Sequence, residues 1–162
     1  MQKDRAEIER FLQRMTQYHA RIPIPLIPRP ERDRWLDELG FVDKDVNRAI
    51  ANGIKSEDFY QCVEVYNKCE EYCECLLTQR YSDIVACKKR QECGNKCGCI
   101  ATAKSEFVGG CLWEFGIVWE GKKVYIKLHE FDNNFKNSFK CISFHKPKRK
   151  MQFVYKTEVF HV

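Results

Sequence analysis

Four residues in the last third of the chain carry the groups an acid–base reaction needs. His145 closes the segment KCISFH and is followed at once by KPKRK. Histidine takes up and returns protons near neutral pH. The basic run of Lys146, Lys148, Arg149 and Lys150 would draw phosphates towards it. Upstream, VYIK supplies Tyr125 and Lys127, and LWEF supplies Glu114. Cutting RNA without a metal requires a base for the 2′-hydroxyl proton, a cation for the phosphorane charge and an acid for the departing 5′-oxygen. His145 is the first choice for base or acid and Lys127 for the charge clamp. Tyr125 would orient the phosphate through its hydroxyl, and Glu114 would be either a base or a salt-bridge partner of Lys127. Each also has a plainer reading: a surface histidine at a strand end, a solvent-facing lysine, a packing tyrosine, a soluble basic loop. Only their convergence on one face would make them a site.

A second constellation competes with the first. Of the ten cysteines, two trios share the spacing C-x3-C-x-C: Cys69, Cys73 and Cys75 in CEEYCEC, and Cys93, Cys97 and Cys99 in CGNKCGC. Both lie in a polar stretch, residues 67–110, with little to fill a core. A metal or cross-links would explain how such a segment could be ordered. Thiolates suit tetrahedral zinc and iron–sulfur centres, although C-x3-C-x-C is not the commonest zinc spacing. The expectation is one structural zinc held by thiolates from both trios, with disulfides and unliganded thiols as the alternatives. Cys62, Cys111 and Cys141 stand in apolar company and read as buried thiols.

The elements that must position these groups follow from periodicity. Residues 4–19 place Ile8, Phe11, Leu12 and Met15 on one helical stripe. Four prolines in residues 22–30 forbid a helix and leave an extended crossing, with an edge strand possible at 24–27. Residues 31–39 and 43–52 read as two short helices stopped by Gly40 and Gly53, and a third is predicted to start at Ser56 and run through residues 56–77. From Leu112 the period changes to two. Trp113, Phe115 and Ile117 alternate with Leu112 and Glu114. After a turn at Gly121, Val124, Ile126 and Leu128 alternate with Tyr125, Lys127 and His129. KCISFH is expected to send Ile142 and Phe144 to the apolar side and Cys141, Ser143 and His145 to the other. Residues 151–160 would extend the sheet. The fold class is therefore α+β: short helices on one face of a small antiparallel sheet, in a single domain spanning 1–162 with a cysteine-rich insert at 67–110. Residues 111–162 hold ten Lys/Arg against five Asp/Glu, which accounts for the whole net charge of +5. The face opposite the helices should therefore form a basic shelf. The start, MQKDRAEIERFL, lacks a signal peptide's apolar segment, and no stretch reaches membrane-spanning length, so no membrane association and a cytoplasmic setting are expected.

The ordered series PRP, RWLDELGF, DKDVNRAI, SEDFY, LWEFG, EGKKVYIKL and KCISFH resembles the MqsR-like toxins of bacterial toxin–antitoxin systems. The resemblance covers most of residues 4–66 and 111–146 and leaves out the insert and the tail after Lys148. It implies a RelE-like fold and a ribosome-independent, metal-independent mRNA endoribonuclease neutralised by a cognate antitoxin. The family's active-site tyrosine falls on Tyr125, with Lys127 two residues on; its late catalytic lysine falls on His145, its glutamine on Glu114 and its helix lysine on Gln61. Two cationic positions are thus changed, one to a titratable group and one to a neutral one. Besides an active toxin, the sequence admits a catalytically inactive RNA- or protein-binding relative, or a cysteine-rich metal-binding regulatory protein.

Overall fold

The computed structural model describes residues 2–64, 110–133 and 136–162, and the site cysteines Cys69, Cys73, Cys75, Cys93, Cys97 and Cys99 all lie outside them. Within the described residues the protein is α+β. Three helices, α1 (Arg5–His19), α2 (Pro30–Leu39) and α3 (Asp43–Gly53), cover one face of an antiparallel sheet. Its strands β1 (Phe59–Glu64), β2 (Cys111–Trp119), β3 (Lys122–Asn133) and β4 (Lys136–His145) lie in chain order. A separate two-residue pairing, β5 (Met151–Gln152) with β6 (Val159–Phe160), folds back over the other face.

The helices form where the local chemistry says they should. Asp4 caps α1 by accepting the Glu7 N–H at 2.8 Å. Ile8, Phe11 and Met15 then point inward, and the Phe11 ring stacks on Trp113 with centroids 4.2 Å apart. Burying a side chain of Phe11's size stabilises by about 2–3 kcal/mol. Arg14 reaches β3 and donates to both carboxylate oxygens of Glu130, at 2.7 and 3.0 Å. Pro30 starts α2, where its missing N–H is harmless, and Gly40 stops it at φ 74°. Asp45 accepts the Val42 N–H at the head of α3, whose Val46, Ala49 and Ile50 are buried.

The proline-rich crossing is held at two points. Asn47 of α3 accepts the Ile24 N–H at 2.7 Å and donates to the Ile24 carbonyl at 3.2 Å. Leu26 then bridges Cys141 in parallel, with the Ile27 N–H and the Pro25 carbonyl bonded to Cys141's backbone. The edge strand that the sequence left open at residues 24–27 is thus reduced to one isolated bridge alongside β4.

Three expectations are corrected. The helix predicted from Ser56 is instead one 3-10 turn, Ser56–Asp58, followed by β1; the remainder of that stretch lies outside the described residues. A register irregularity between Phe59 and Gln61 adds one residue to the strand. Phe59 and Cys62, three apart, then both face the helices, a spacing that looks helical in sequence. A second irregularity, in the pairing of Lys127 and Leu128 with Ser143 and Cys141, reverses the phase of β4. Cys141 joins Phe139 and Phe144 in the main core, while Ile142 packs with Leu112, Ile27 and Val63 in a separate cluster. Finally, residues 151–160 do not extend the sheet. They form β5 and β6, whose Met151 and Phe160 cluster with Tyr125, Tyr60 and Phe153.

The β2–β3 hairpin turns through Glu120 and Gly121, at φ 50° and 74°. Positive φ at both central residues is the two-residue turn that matches the strands' right-handed twist. It sets the pairing of Glu114 with Lys127 and of Gly116 with Tyr125. No helix among the described residues is long and apolar enough to cross a membrane.

Candidate active site

Strand alternation brings the four candidate residues to the face away from the helices, and the β4 irregularity, which lies before Ser143, leaves His145 on that face. Glu114 on β2 faces Lys127 on β3, and Tyr125 on β3 faces His145 on β4. Directly opposed side chains on neighbouring strands lie within contact range. The Tyr125 and His145 rings are 5.1 Å apart, tilted by 34°.

The centre of the group is Glu114, which is only 3% exposed. Its carboxylate accepts from the Tyr125 hydroxyl in a very short hydrogen bond, from Gln61 Nε2 at 2.6 Å and from Arg149 Nη2 at 3.3 Å. The salt bridge to Lys127 weighed from the sequence is not formed. Gln61 comes to hand because the β1 irregularity aligns it with Glu114. Arg149 also lies over the Tyr60 ring, at 5.4 Å.

Tyr125 is buried beneath the β5–β6 pairing. Burial first, and then its bond to Glu114, holds its phenol well above the ordinary value, so it is a hydrogen-bonding hydroxyl and not a base. The covering segment is clasped by Lys156, which donates to Asp58 at 2.7 Å and to the Gly116 carbonyl at 2.8 Å. Gly116 is required here: a Cβ on it would sit 2.5 Å from Phe153 and 2.9 Å from Phe160. The basic shelf foreseen from alternation is therefore partly roofed, and His145 and Lys127 are its half-exposed members.

His145 Nδ1 lies 2.6 Å from the Lys146 carbonyl. A carbonyl only accepts, so Nδ1 carries the proton and Nε2 is left with its lone pair. Desolvation lowers the imidazole's pKa below its ordinary value; the Lys146 bond opposes this, while Lys148 and Lys127 add to it. A neutral ring with Nε2 as acceptor suits a base better than an acid at neutral pH.

The basic run divides. Lys146 and Lys148 line an open groove of about 1090 Å³ between β4 and α2, Arg149 turns to Glu114, and Lys150 is exposed outside the groove lining. Lys148 is paired with Glu31 at 3.0 Å. The opposite wall comes from α2 and the residue before it: Arg29, Arg34 and Trp35. Sequence reasoning assigned that helix only a covering role, although the arginines of RPERDRW were there to be seen.

Among the described residues no group of His, Cys, Asp or Glu side chains could hold a metal ion. Cys141 is fully buried, with its thiol pushed up to about 12 by desolvation. Cys62 is likewise buried and raised to about 12, first by burial and then by the nearby Cys111, which is half-buried. Burial and a raised pKa make Cys62 and Cys141 inert core thiols. Comparison with family models, with curated proteins and with solved structures found no match to this chain.

Proposed function

We propose that the protein is an endoribonuclease of the MqsR-like kind, a metal-independent toxin that cleaves mRNA and is neutralised by a cognate antitoxin. The observation that carries this reading is the convergence of His145, Lys127, Tyr125 and Glu114 on one sheet face, beside a cationic groove. Helices against one face of a small antiparallel sheet are also what a RelE-like toxin would have. The cytoplasm, where mRNA and antitoxin meet, is the matching location.

In the proposed reaction the 2′-oxygen attacks the phosphorus and His145 Nε2 takes its proton. Lys127 faces the phosphorane charge, and its ammonium supplies the proton that leaves with the 5′-oxygen. The products are a 2′,3′-cyclic phosphate and a free 5′-hydroxyl. Glu114 fixes the Tyr125 hydroxyl, Tyr125 backs the His145 ring, and Arg149 stands beside them as a phosphate contact. A single positioned acid or base contributes about 10²–10⁴-fold. Loss of His145 or Lys127 should therefore lower cleavage by that factor.

The test is cleavage of an mRNA by the purified protein, with the cyclic phosphate end as readout, and growth arrest on induction in cells. His145→Ala and Lys127→Ala should each lower cleavage by about 10²–10⁴-fold and relieve the growth arrest. Cleavage that survives both substitutions undiminished would remove the proposal. One observation favours the second reading, an inactive RNA-binding relative: Glu114 already occupies Tyr125, Gln61 and Arg149, donors that a scissile phosphate would use. RNA binding without any cleavage would decide for it.

A further inference from the structure

The groove beside His145 is larger than one phosphate and has its own chemistry. One wall is the end of β4 with Lys146 and Lys148; the other is the start of α2 with Arg29, Arg34 and the half-buried Trp35. These cations outweigh the acidic Glu31 and Glu38 on the same lining, and Glu31 is already paired with Lys148. Trp35 packs on Phe144 at 6.3 Å between centroids, which fixes its ring at the groove while leaving part of it accessible. His145 belongs to the same lining, so a chain lying in the groove passes the imidazole.

Arginine and lysine spaced along a channel, with an indole between them, are the parts used to bind single-stranded nucleic acid: charge tracks the backbone and the ring stacks on a base. An A-form duplex has no unstacked base to offer such a ring. We propose that this groove holds the single-stranded RNA segment adjoining the scissile phosphate, with phosphates on Arg34 and Lys146 and one base against Trp35. The inference rests on the ribonuclease reading for the location of the cut. It adds the path of the substrate and a requirement for an unpaired base.

The probe is a fluorescein-labelled 2′-O-methyl RNA of about 12 nucleotides, within the span such sites cover. It lacks the nucleophile, so binding is read apart from cleavage. Anisotropy titrations of the full chain between about 50 and 200 mM salt give the slope of log affinity on log salt. Arg34→Ala with Lys146→Ala should flatten that slope by about 1.4, since each single-strand phosphate contact contributes about 0.7. Both residues are exposed, so the fold should be untouched. RNA should quench tryptophan fluorescence in the wild type, and Trp35→Phe, which keeps a ring against Phe144, should lose the quench. A duplex of the same length should bind more weakly and quench nothing.

An unchanged slope in the double variant, together with an unchanged quench in Trp35→Phe, overturns the groove assignment even if the protein cuts RNA. So does a polyglutamate peptide that depends on Arg34 and Lys146 while RNA does not. Binding with the expected slope and quench, but with no cleavage of ordinary RNA, upholds the groove and removes the ribonuclease reading instead.

Discussion

The bond between Tyr125 and Glu114 is the feature on which the geometry of the site depends, and its strength can be measured by a double-mutant cycle. Tyr125→Phe removes the hydroxyl from a buried position and leaves one carboxylate oxygen of Glu114 with Arg149 alone. A hydrogen bond to a charged group contributes about 1.5–3 kcal/mol. In a chain of this length each kcal/mol moves Tm by about 2–4 °C, so the variant should melt about 3–12 °C lower. Glu114→Gln keeps the shape and an acceptor for Tyr125. It loses the charge that strengthens the bonds to Tyr125 and Gln61, and recovers part of that by no longer burying a carboxylate; about 1–2 kcal/mol should go. The Arg149 pair adds little, because that guanidinium is 60% exposed. Both substitutions weaken the same bond, so the double variant should be about 1 kcal/mol less damaged than the sum. Guanidinium titrations followed by tryptophan fluorescence give the four free energies. Additivity to within about 0.3 kcal/mol would mean that the two side chains do not interact, and the account of how Tyr125 is held would fail.

Three further outcomes follow from other contacts. His145 titrates lower when folded than unfolded, so the unfolded chain binds more protons between the two values. Its contribution to stability is therefore present above about pH 6.5 and lost as pH falls through the lowered value. As the base it should give cleavage whose acid limb lies below pH 6.5, and Lys148→Ala, by removing a charge that lowers His145, should move that limb to higher pH in a pH–rate profile. Gly116→Ala should force Phe153 and Phe160 off the sheet at a cost of about 1–3 kcal/mol, seen as a lower denaturation midpoint and faster proteolysis between residues 150 and 162. On the sequence's expectation of a structural zinc, purified reduced protein should contain about one zinc per chain, held by four thiolates drawn from the two trios Cys69, Cys73, Cys75 and Cys93, Cys97, Cys99; elemental analysis near zero, with paired cysteines, would rule that out.

The fold class could be read from the chain because its signals were local and repeated. The stripe of Ile8, Phe11 and Met15, the stop at Gly40, and the alternation on either side of Gly121 each fixed one element without help from the rest. What could not be read were the two places where a strand takes one extra residue. Near Tyr60 the extra residue gave Phe59 and Cys62 a helical spacing. Near Ile142 it exchanged the faces of Ile142 and Cys141, while His145 still arrived opposite Tyr125. An inserted residue leaves no mark in composition, because it is defined by what the neighbouring strand does. The β5–β6 cover was missed for a related reason: MQFVYKTEVF alternates like a strand, but its partners are side chains on the sheet face and its own two ends.

The same distinction bears on the site. Sequence alone could place Tyr125, Lys127 and His145 on one side, since that needs only parity. It could not show that Glu114 would draw in Gln61 and Arg149, which come from an irregular edge strand and from a loop after the sheet. That convergence gives Glu114 a decisive place. If an anionic phosphate is to approach Tyr125 and Arg149, it meets a buried carboxylate that already holds both, and like charges at that range repel. On the proposed reaction, RNA must then either exchange Arg149 from Glu114 to the phosphate or reach His145 along the groove, leaving Glu114 undisturbed. Arg149 is the exposed member of its pair, so the exchange is sterically open. Glu114→Gln separates the routes: if Arg149 must move, the variant should bind RNA more tightly than the wild type, whereas if RNA approaches from the groove, its affinity should be unchanged while Tyr125 loosens.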